Sequence, residues 1–222
     1  MYKKITKCRI SNDKNLKIVF KPEKITLTGE FPSKKFKSYN KMPLEVVFSK
    51  KSGLLQLNHN YMERKLFGDN YGYRSGLNKF MVKHLKKKSQ QLQKKIKFKK
   101  KDYILDIGSN DGTFLNFFSN KTTRFGVDPT SKKFKRFYNS HIIRIPKLFN
   151  SKIFGKKYKK KFKLITALAM FYDLRDPISF CRNIDHLLDD KGIFHIEICY
   201  LPDIIKNFSF DTFCQEHLTY YS

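Results

Sequence analysis

From Tyr103 onward, apolar runs of strand length alternate with segments of helical spacing. Strands are expected at 103–107, 124–128, 141–145, 163–168 and 192–198. Helices are expected between them, over about 112–119, 131–138, 148–154 and 177–188. Asp176-Pro177 opens the last of these and Lys191-Gly192 closes it. Alternating β and α with short loops predicts an α/β fold, a parallel sheet with helices on both faces. Ligands of such sheets bind beyond the carboxyl ends of the strands. That rule is expected to gather Asp106–Gly112, Asp128, Ala169–Asp173 and the segment after Ile198 into one crevice.

The first hundred residues follow another rhythm. Leu16–Phe20, Leu44–Phe48 and Leu54–Leu57 are short strand candidates, punctuated by Pro22, Gly29, Pro32 and Gly53. Tyr61–Phe67 and a longer amphipathic stretch from Leu77 to about Leu92 read as helical. Between them lies the turn Tyr71-Gly72-Tyr73-Arg74-Ser75-Gly76, and Lys94–Lys101 forms a basic linker. The expected organisation is a small β-containing module over 1–60, a helical linker over 61–101 and a sheet domain over 102–222.

Composition narrows this picture. In 222 residues, 40% hydrophobic and 15% aromatic content suffices for a core. No run of about 18 apolar residues is present, so no membrane span is expected. The start Met1-Tyr2-Lys3-Lys4 has no apolar stretch behind it, so no secretory leader is expected. Cys8, Cys181, Cys199 and Cys214 are scattered without a C-x-x-C pair, which suits a reducing compartment and a cytoplasmic protein. The net charge of +28, from 47 Lys+Arg against 19 Asp+Glu, would attract polyanions. That lysine excess accompanies many Phe, Tyr, Asn and Ile, the residue set of an AT-rich genome. The charge alone therefore does not favour a nucleic-acid partner.

The densest chemistry begins at Tyr103-Ile104-Leu105-Asp106-Ile107-Gly108-Ser109-Asn110-Asp111-Gly112-Thr113. Gly108 and Gly112 remove side chains where a ligand would approach the backbone, and the N–H groups of the following helix point the same way. Asp128 closes the next strand 22 positions after Asp106. That is near the spacing of roughly 20 residues at which a Rossmann-type fold sets an acid on a ribose hydroxyl. The spacing resembles motif I of class I S-adenosylmethionine methyltransferases, D/E-x-G-x-x-x-G. The resemblance implies a Rossmann-like methyltransferase sheet and a cofactor site formed by Asp106, Gly108, Ser109, Asn110, Asp111, Gly112, Asp128, Pro129, Ala169 and Met170.

Further motifs sharpen it. Tyr71–Gly76, Asp106–Thr113, Gly126-Val127-Asp128-Pro129, Ala169-Met170-Phe171-Tyr172-Asp173-Leu174, Asp211-Thr212, Glu216-His217-Leu218 and Tyr220-Tyr221-Ser222 follow in order. Together they resemble the sugar C-methyltransferases that act on nucleotide-linked keto-deoxysugars. The resemblance covers essentially the whole chain. It implies a nucleotide-sugar substrate, His217 as the base that removes the proton beside the ketone, and Glu216 as the residue that orients it. Adjacent strand residues point oppositely, so Glu216 and His217 can share a site only if the backbone turns there. Tyr73 and Tyr172 are candidate partners of the enolate or of a sugar hydroxyl. Arg74 is a candidate for a diphosphate.

Two departures stand out. The family opens with a zinc-binding module of two C-x-x-C pairs, but here Cys8 is joined by Ser11, Ser49 and Ser52. Hydroxyls are poor zinc ligands, so no structural zinc is expected. The family also continues past the Glu-His-Leu segment, so a C-terminal half is expected to be missing. A non-catalytic remnant and an RNA methyltransferase stay open as alternatives. Against the second, Ala169–Asp173 stands where amino-directed enzymes carry Asn/Asp-Pro-Pro-Tyr/Phe, and neither Cys199 nor Cys214 follows a proline.

Overall fold

Short strands open the chain: β1 (Tyr2–Lys4), β2 (Leu16–Phe20), β3 (Ile25–Thr26), β4 (Lys41–Met42), β5 (Val46–Ser49), β6 (Leu54–Leu57) and β7 (His59–Tyr61). This computed structural model describes residues 2–28, 41–67 and 71–222, the side chains of residues 64 and 65 excepted. The turn signals Gly29 and Pro32 lie outside the described residues. The helix α1 (Glu63–Leu66) follows, then α2 (Lys79–Ile96), β8 (Tyr103–Ile107), α3 (Thr113–Asn116), β9 (Thr123–Val127), β10 (Ile142–Ile145), β11 (Phe162–Leu168), α4 (Pro177–Leu187), β12 (Leu188–Glu197), α5 (Leu201–Lys206) and β13 (Thr219–Tyr220).

The chain divides into two units. One comprises Met1–Tyr71, Met170–Ile178 and Ile198–Ser222; the other comprises Gly72–Ala169 and Ser179–Glu197. The first holds a four-stranded sheet in the order β13-β6-β5-β2. Residues of β5 and β6 are buried on both sides, so they read as apolar runs rather than alternation. Its core joins Val46, Leu57 and Tyr61 to Ile204, Leu218 and Tyr220. In this unit Cys8, Ser11, Ser49 and Ser52 come together in two close pairs. Cys8 Sγ lies 3.2 Å from Ser52 Oγ, Ser11 Oγ lies 3.4 Å from Ser49 Oγ, and Ser49 Oγ donates to Asp13 Oδ2 at 3.2 Å. Hydrogen bonds from Ser11 and Ser52 outweigh the effect of burial and bring the Cys8 thiol down to about 7.

The second unit holds the five-stranded sheet β10-β9-β8-β11-β12, every neighbouring pair parallel. β8 is buried from Ile104 to Ile107, as a central parallel strand must be. Helix α2 begins where Asn78 accepts the N–H groups of Phe80 and Met81, and it ends at Lys97 in the left-handed region. Its Leu85, Ser89 and Leu92 form the inward stripe, and the two leucines pack with Phe114, Leu115 and Phe118. Wholly buried Arg124 on β9 donates to the carbonyls of Leu115 and Phe118 and to Asn120 Oδ1, satisfying acceptors that the short α3 leaves open.

Several helix expectations need correction. Regular α-helix after the glycine turn is confined to Thr113–Asn116. Residues 131–138 form two 3₁₀ turns, Pro129–Lys132 and Lys135–Phe137, and 148–154 contains only Ser151–Ile153. Between 132 and 136 only Phe134 is buried while its basic neighbours are exposed, and one apolar anchor cannot hold a longer helix. Helix α2 runs on to Ile96, through part of the stretch expected as linker, and β12 starts at Leu188 with Gly192 inside it. Among the described residues no helix is long and apolar enough to cross a membrane.

Candidate functional site

The turn after β8 is built on left-handed backbone. Gly108 has φ +73° and Gly112 φ +77°, which any side chain would strain. A Cβ on Gly112 would also stand 2.8 Å from the Tyr138 ring. Asn110 takes φ +49°, the conformation asparagine tolerates best among side-chain-bearing residues. The Gly108 N–H donates to the Val127 carbonyl at 2.9 Å, fastening the turn to the end of β9. The Tyr138 hydroxyl donates to the Asn110 carbonyl at 2.9 Å. Its single proton is then used, so Ser109 Oγ, 2.8 Å away, donates to it.

Two acids flank this turn. Asp106 is buried in β8, and Thr166 Oγ1 donates to its Oδ1 at 2.6 Å. Burial pushes its carboxyl up to about 7; the Thr166 bond opposes the shift and the Asp128 charge adds to it. Asp128 accepts the Asn110 N–H on Oδ2 at 2.8 Å, and the N–H and Oγ1 of Thr130 on Oδ1, each at 2.6 Å. A carboxylate offers about four acceptor positions. These bonds fill three and leave one for a hydroxyl. Burial raises this carboxyl too, against those bonds. Pro129 opens the 3₁₀ turn that Asp128 caps. Ala169, past β11, takes φ +52° while its N–H donates to the Glu197 carbonyl at 2.9 Å.

The Tyr-Gly-Tyr-Arg-Ser-Gly motif, whose Tyr73 and Arg74 were candidates for substrate contact, straps this loop through its backbone and Arg74. Asn110 Nδ2 donates to the Tyr73 carbonyl at 3.1 Å, and the Ser75 N–H donates to Asn110 Oδ1 at 2.9 Å. Asp111 Oδ2 accepts the Gly76 N–H at 2.9 Å and Arg74 at 3.1 Å, while its Oδ1 accepts Thr113 Oγ1 at 2.6 Å. The Asp111 carboxylate is thus taken up by the strap and by α3. The Arg74 guanidinium also lies 3.9 Å over the Phe137 ring. Tyr73 itself is 46% exposed.

Met170, Tyr172, Asp173, Glu216 and His217 belong to the other unit. Cys214–His217 is a turn closed by the His217 N–H on the Cys214 carbonyl at 3.2 Å, the bend that sharing one site requires of Glu216 and His217. The Tyr172 carbonyl accepts the Leu218 N–H at 2.9 Å and Thr219 Oγ1 at 3.1 Å. These bonds dock the Tyr172 segment on the 216–219 segment, and the Tyr172 ring meets the His217 ring edge-on at 4.4 Å. His217 Nδ1 lies 2.8 Å from the Thr212 carbonyl. A carbonyl only accepts, so Nδ1 carries the proton and Nε2 presents its lone pair. Burial lowers the pKa of this imidazole and keeps it neutral at pH 7.

The carboxyls nearby point to a residue that sequence reasoning passed over. Asp173 Oδ1 is shut from water without a hydrogen-bond partner. Burial, and then the charge of Glu216, raise the Asp173 pKa well above the usual carboxylate range; burial raises Glu216 as well. The Cys214 thiol is pushed up to about 11 by burial. An acid inside the apolar run Phe171-Tyr172-Asp173-Leu174 was the available signal.

A profile described as "Methyltransferase domain" matches residues 76–222. The chain is 27% identical over 184 residues to the C-methyltransferase NovU of Streptomyces niveus, covering 81% of this chain and 43% of that protein. It therefore spans less than half the length of that relative. Among solved structures it is similar to the plantazolicin methyltransferase BpumL in complex with S-adenosylhomocysteine, at 19% identity and a TM-score of 0.47, over 60% of this chain and 52% of that one. It is also similar to the PH0226 protein of Pyrococcus horikoshii, at 14% identity and a TM-score of 0.46, over 61% and 62%. The residues of the turn fit S-adenosylmethionine: side-chain-free backbone at Gly108 and an Asp128 carboxylate with an acceptor to spare for a ribose hydroxyl. By its matched profile and its parallel Rossmann-like sheet, the chain belongs to the methyltransferase-domain family.

Proposed function

We propose that this methyltransferase transfers a methyl group from S-adenosylmethionine to a carbon of a nucleotide-linked keto-deoxysugar. The observation that carries the reading is the His217 imidazole, neutral and tautomerically fixed by the Thr212 carbonyl, with Nε2 free of any hydrogen-bond partner among the described residues. Carbon is methylated as a carbanion equivalent, and a ketone beside it makes that accessible to a base of near-neutral pKa. In this reading His217 Nε2 takes the α-proton, and the enolate carbon so formed receives the methyl. When bound, S-adenosylmethionine supplies that methyl in electrophilic form. Glu216 orients the imidazole or the substrate, and Tyr73 and Tyr172 are the phenols offered to the substrate oxygens. Asp106, Gly108, Ser109, Asn110, Gly112, Asp128, Pro129 and Ala169 form the cofactor site, Asp111 serves it through the strap it holds, and Met170 of the other unit is a further candidate.

The whole protein's substrate is part of the same proposal, since the similarity to a C-methyltransferase rests on part of that relative's length. Incubating the purified chain with S-adenosylmethionine and a nucleotide-linked keto-deoxysugar should give a product one methylene heavier. His217→Ala should lose it while binding S-adenosylhomocysteine as before. Unchanged turnover in that variant removes His217 as the base. Methylation of RNA with none of the sugar would replace the substrate.

A further inference from the structure

The outward face of helix α2 has no part in the proposed chemistry. Phe80, Lys83, Lys87, Gln91 and Lys94 recur along it at i, i+3, i+7, i+11 and i+14, opposite the buried stripe of Leu85, Ser89 and Leu92, and all five are exposed. Residues 79–101 hold eleven lysines and no acid. Past the helix, exposed Lys99, Lys100 and Lys101 continue the row. Glu197 is the one carboxylate that salt-bridges α2 among the described residues. It takes the half-buried Lys88 at 3.4 Å and His84 at 2.8 Å, and Lys83, Lys87 and Lys94 have no ion pair among the described residues. The lysine-rich composition does not impose this. Lys160 meets Asp185 at 2.9 Å and Lys163 meets Asp189 at 2.7 Å, so lysines elsewhere in the same unit find acids. The arrangement also costs the protein in solution. Lys79, Lys83 and Lys87 follow one another at i, i+4, where like charges repel, and no acid in the first turn faces the positive end of the helix dipole. At that same end two large apolar side chains stand in water: Phe80 is 86% exposed and Leu77 69%. A face that is cationic along a helix of about 27 Å and apolar at one end matches a surface that is anionic at its boundary and apolar beneath. Single-stranded nucleic acid matches it less well, because residues 79–101 carry no arginine and the outward stripe a single ring.

We infer that α2 docks this protein on an anionic lipid bilayer, its outward lysines on the headgroups and Phe80 and Leu77 in the acyl boundary. Such a contact lies on the surface and needs no membrane-spanning helix. It does not depend on which substrate is methylated, so it and the proposed function stand or fall separately.

The test is sedimentation of the full chain with vesicles of phosphatidylcholine alone and of equal parts phosphatidylcholine and phosphatidylglycerol. The mixed vesicles should bind it, the neutral ones should not, and added salt should release it. Lys83→Gln, Lys87→Gln and Lys94→Gln together change exposed side chains and should weaken binding about a hundredfold, at about fivefold for each lysine. Removing three exposed charges from the other unit, by Lys14→Gln, Lys50→Gln and Lys51→Gln, should leave binding nearly unchanged. The chain contains no tryptophan, so Phe80→Trp supplies a single reporter, and its emission should shift to the blue on mixed vesicles. Equal binding to neutral vesicles, an equal loss in the variant of the other unit, or unshifted emission on mixed vesicles overturns the inference. So does tighter binding of single-stranded RNA that the α2 triple variant abolishes.

Discussion

Asp128 directly follows β9 and Asp173 sits on the 3₁₀ turn Phe171–Asp173, and the protein treats these two shielded acids in opposite ways. Asp128 is wrapped by the Asn110 and Thr130 donors. Asp173 keeps an oxygen out of water with no donor at all, and with Glu216 close enough to repel it. A fully dressed carboxylate is preorganised for a ligand's hydroxyl at little cost on binding. An undressed one costs free energy in the resting protein, and such costs concentrate where chemistry is done. On the proposed function, the contrast sets the cofactor's acid apart from the acid beside the base.

The largest effect is expected at the base. His217→Ala should lower kcat by about 10²- to 10⁴-fold. Because burial lowers the His217 pKa, wild-type rate should fall only as pH drops below the ordinary histidine range, and this acid limb should vanish in the variant. Retention of the limb in His217→Ala would move the base elsewhere. Next comes Asp106, which resembles Asp173 in charge and Asp128 in place. Its folded pKa of about 7 lies above the unfolded value of about 3.9. The native state therefore holds its proton over a range where the unfolded chain has lost it. This contribution is intact below about pH 4 and is lost as pH rises toward about 7, amounting to at most about 4 kcal/mol. Denaturant melts should show Asp106→Asn flattening that fall; an unchanged slope would mean that Asp106 stays ionised.

Smaller effects probe the cofactor's side. Asp128→Ala should weaken S-adenosylhomocysteine by about ten- to a hundredfold, from the loss of charge-assisted bonds to ligand and turn. Equal affinity would show that the acid serves the turn alone. Tyr138→Phe removes the hydroxyl from Ser109 and the Asn110 carbonyl but leaves the ring on Gly112. It should cost about 1 kcal/mol of stability in a melt, with the cofactor still bound.

Much of the sheet was legible because parallel strands are apolar runs, and the runs at 103–107 and 163–168 lie within a residue of β8 and β11. The glycine turn was legible because left-handed backbone leaves a residue signature. Short 3₁₀ turns after β9 were not, since helical spacing in Lys133–Tyr138 says nothing of how few apolar anchors it has. Nor was the strap: nothing in Arg74-Ser75-Gly76 names Asn110 and Asp111 as its partners. Asp173 was invisible as an unpaired acid because pairing is a property of three dimensions.

One consequence of the first unit's layout concerns the order in which the chain becomes structured. Its sheet is completed by β13, whose Thr219 and Tyr220 pair with Gln56 and Leu55 of β6. Gln215 likewise exchanges bonds with Thr28. The five-stranded sheet has all its strands once Glu197 has been made. During synthesis β6 must therefore wait for β13, a long-range pairing that is slow to form. Through that interval Leu54–Leu57 is an apolar edge without its neighbour, open to the same segment of another nascent chain. Overexpression would press on that interval first, and a solubility loss traced to β6 would be its signature.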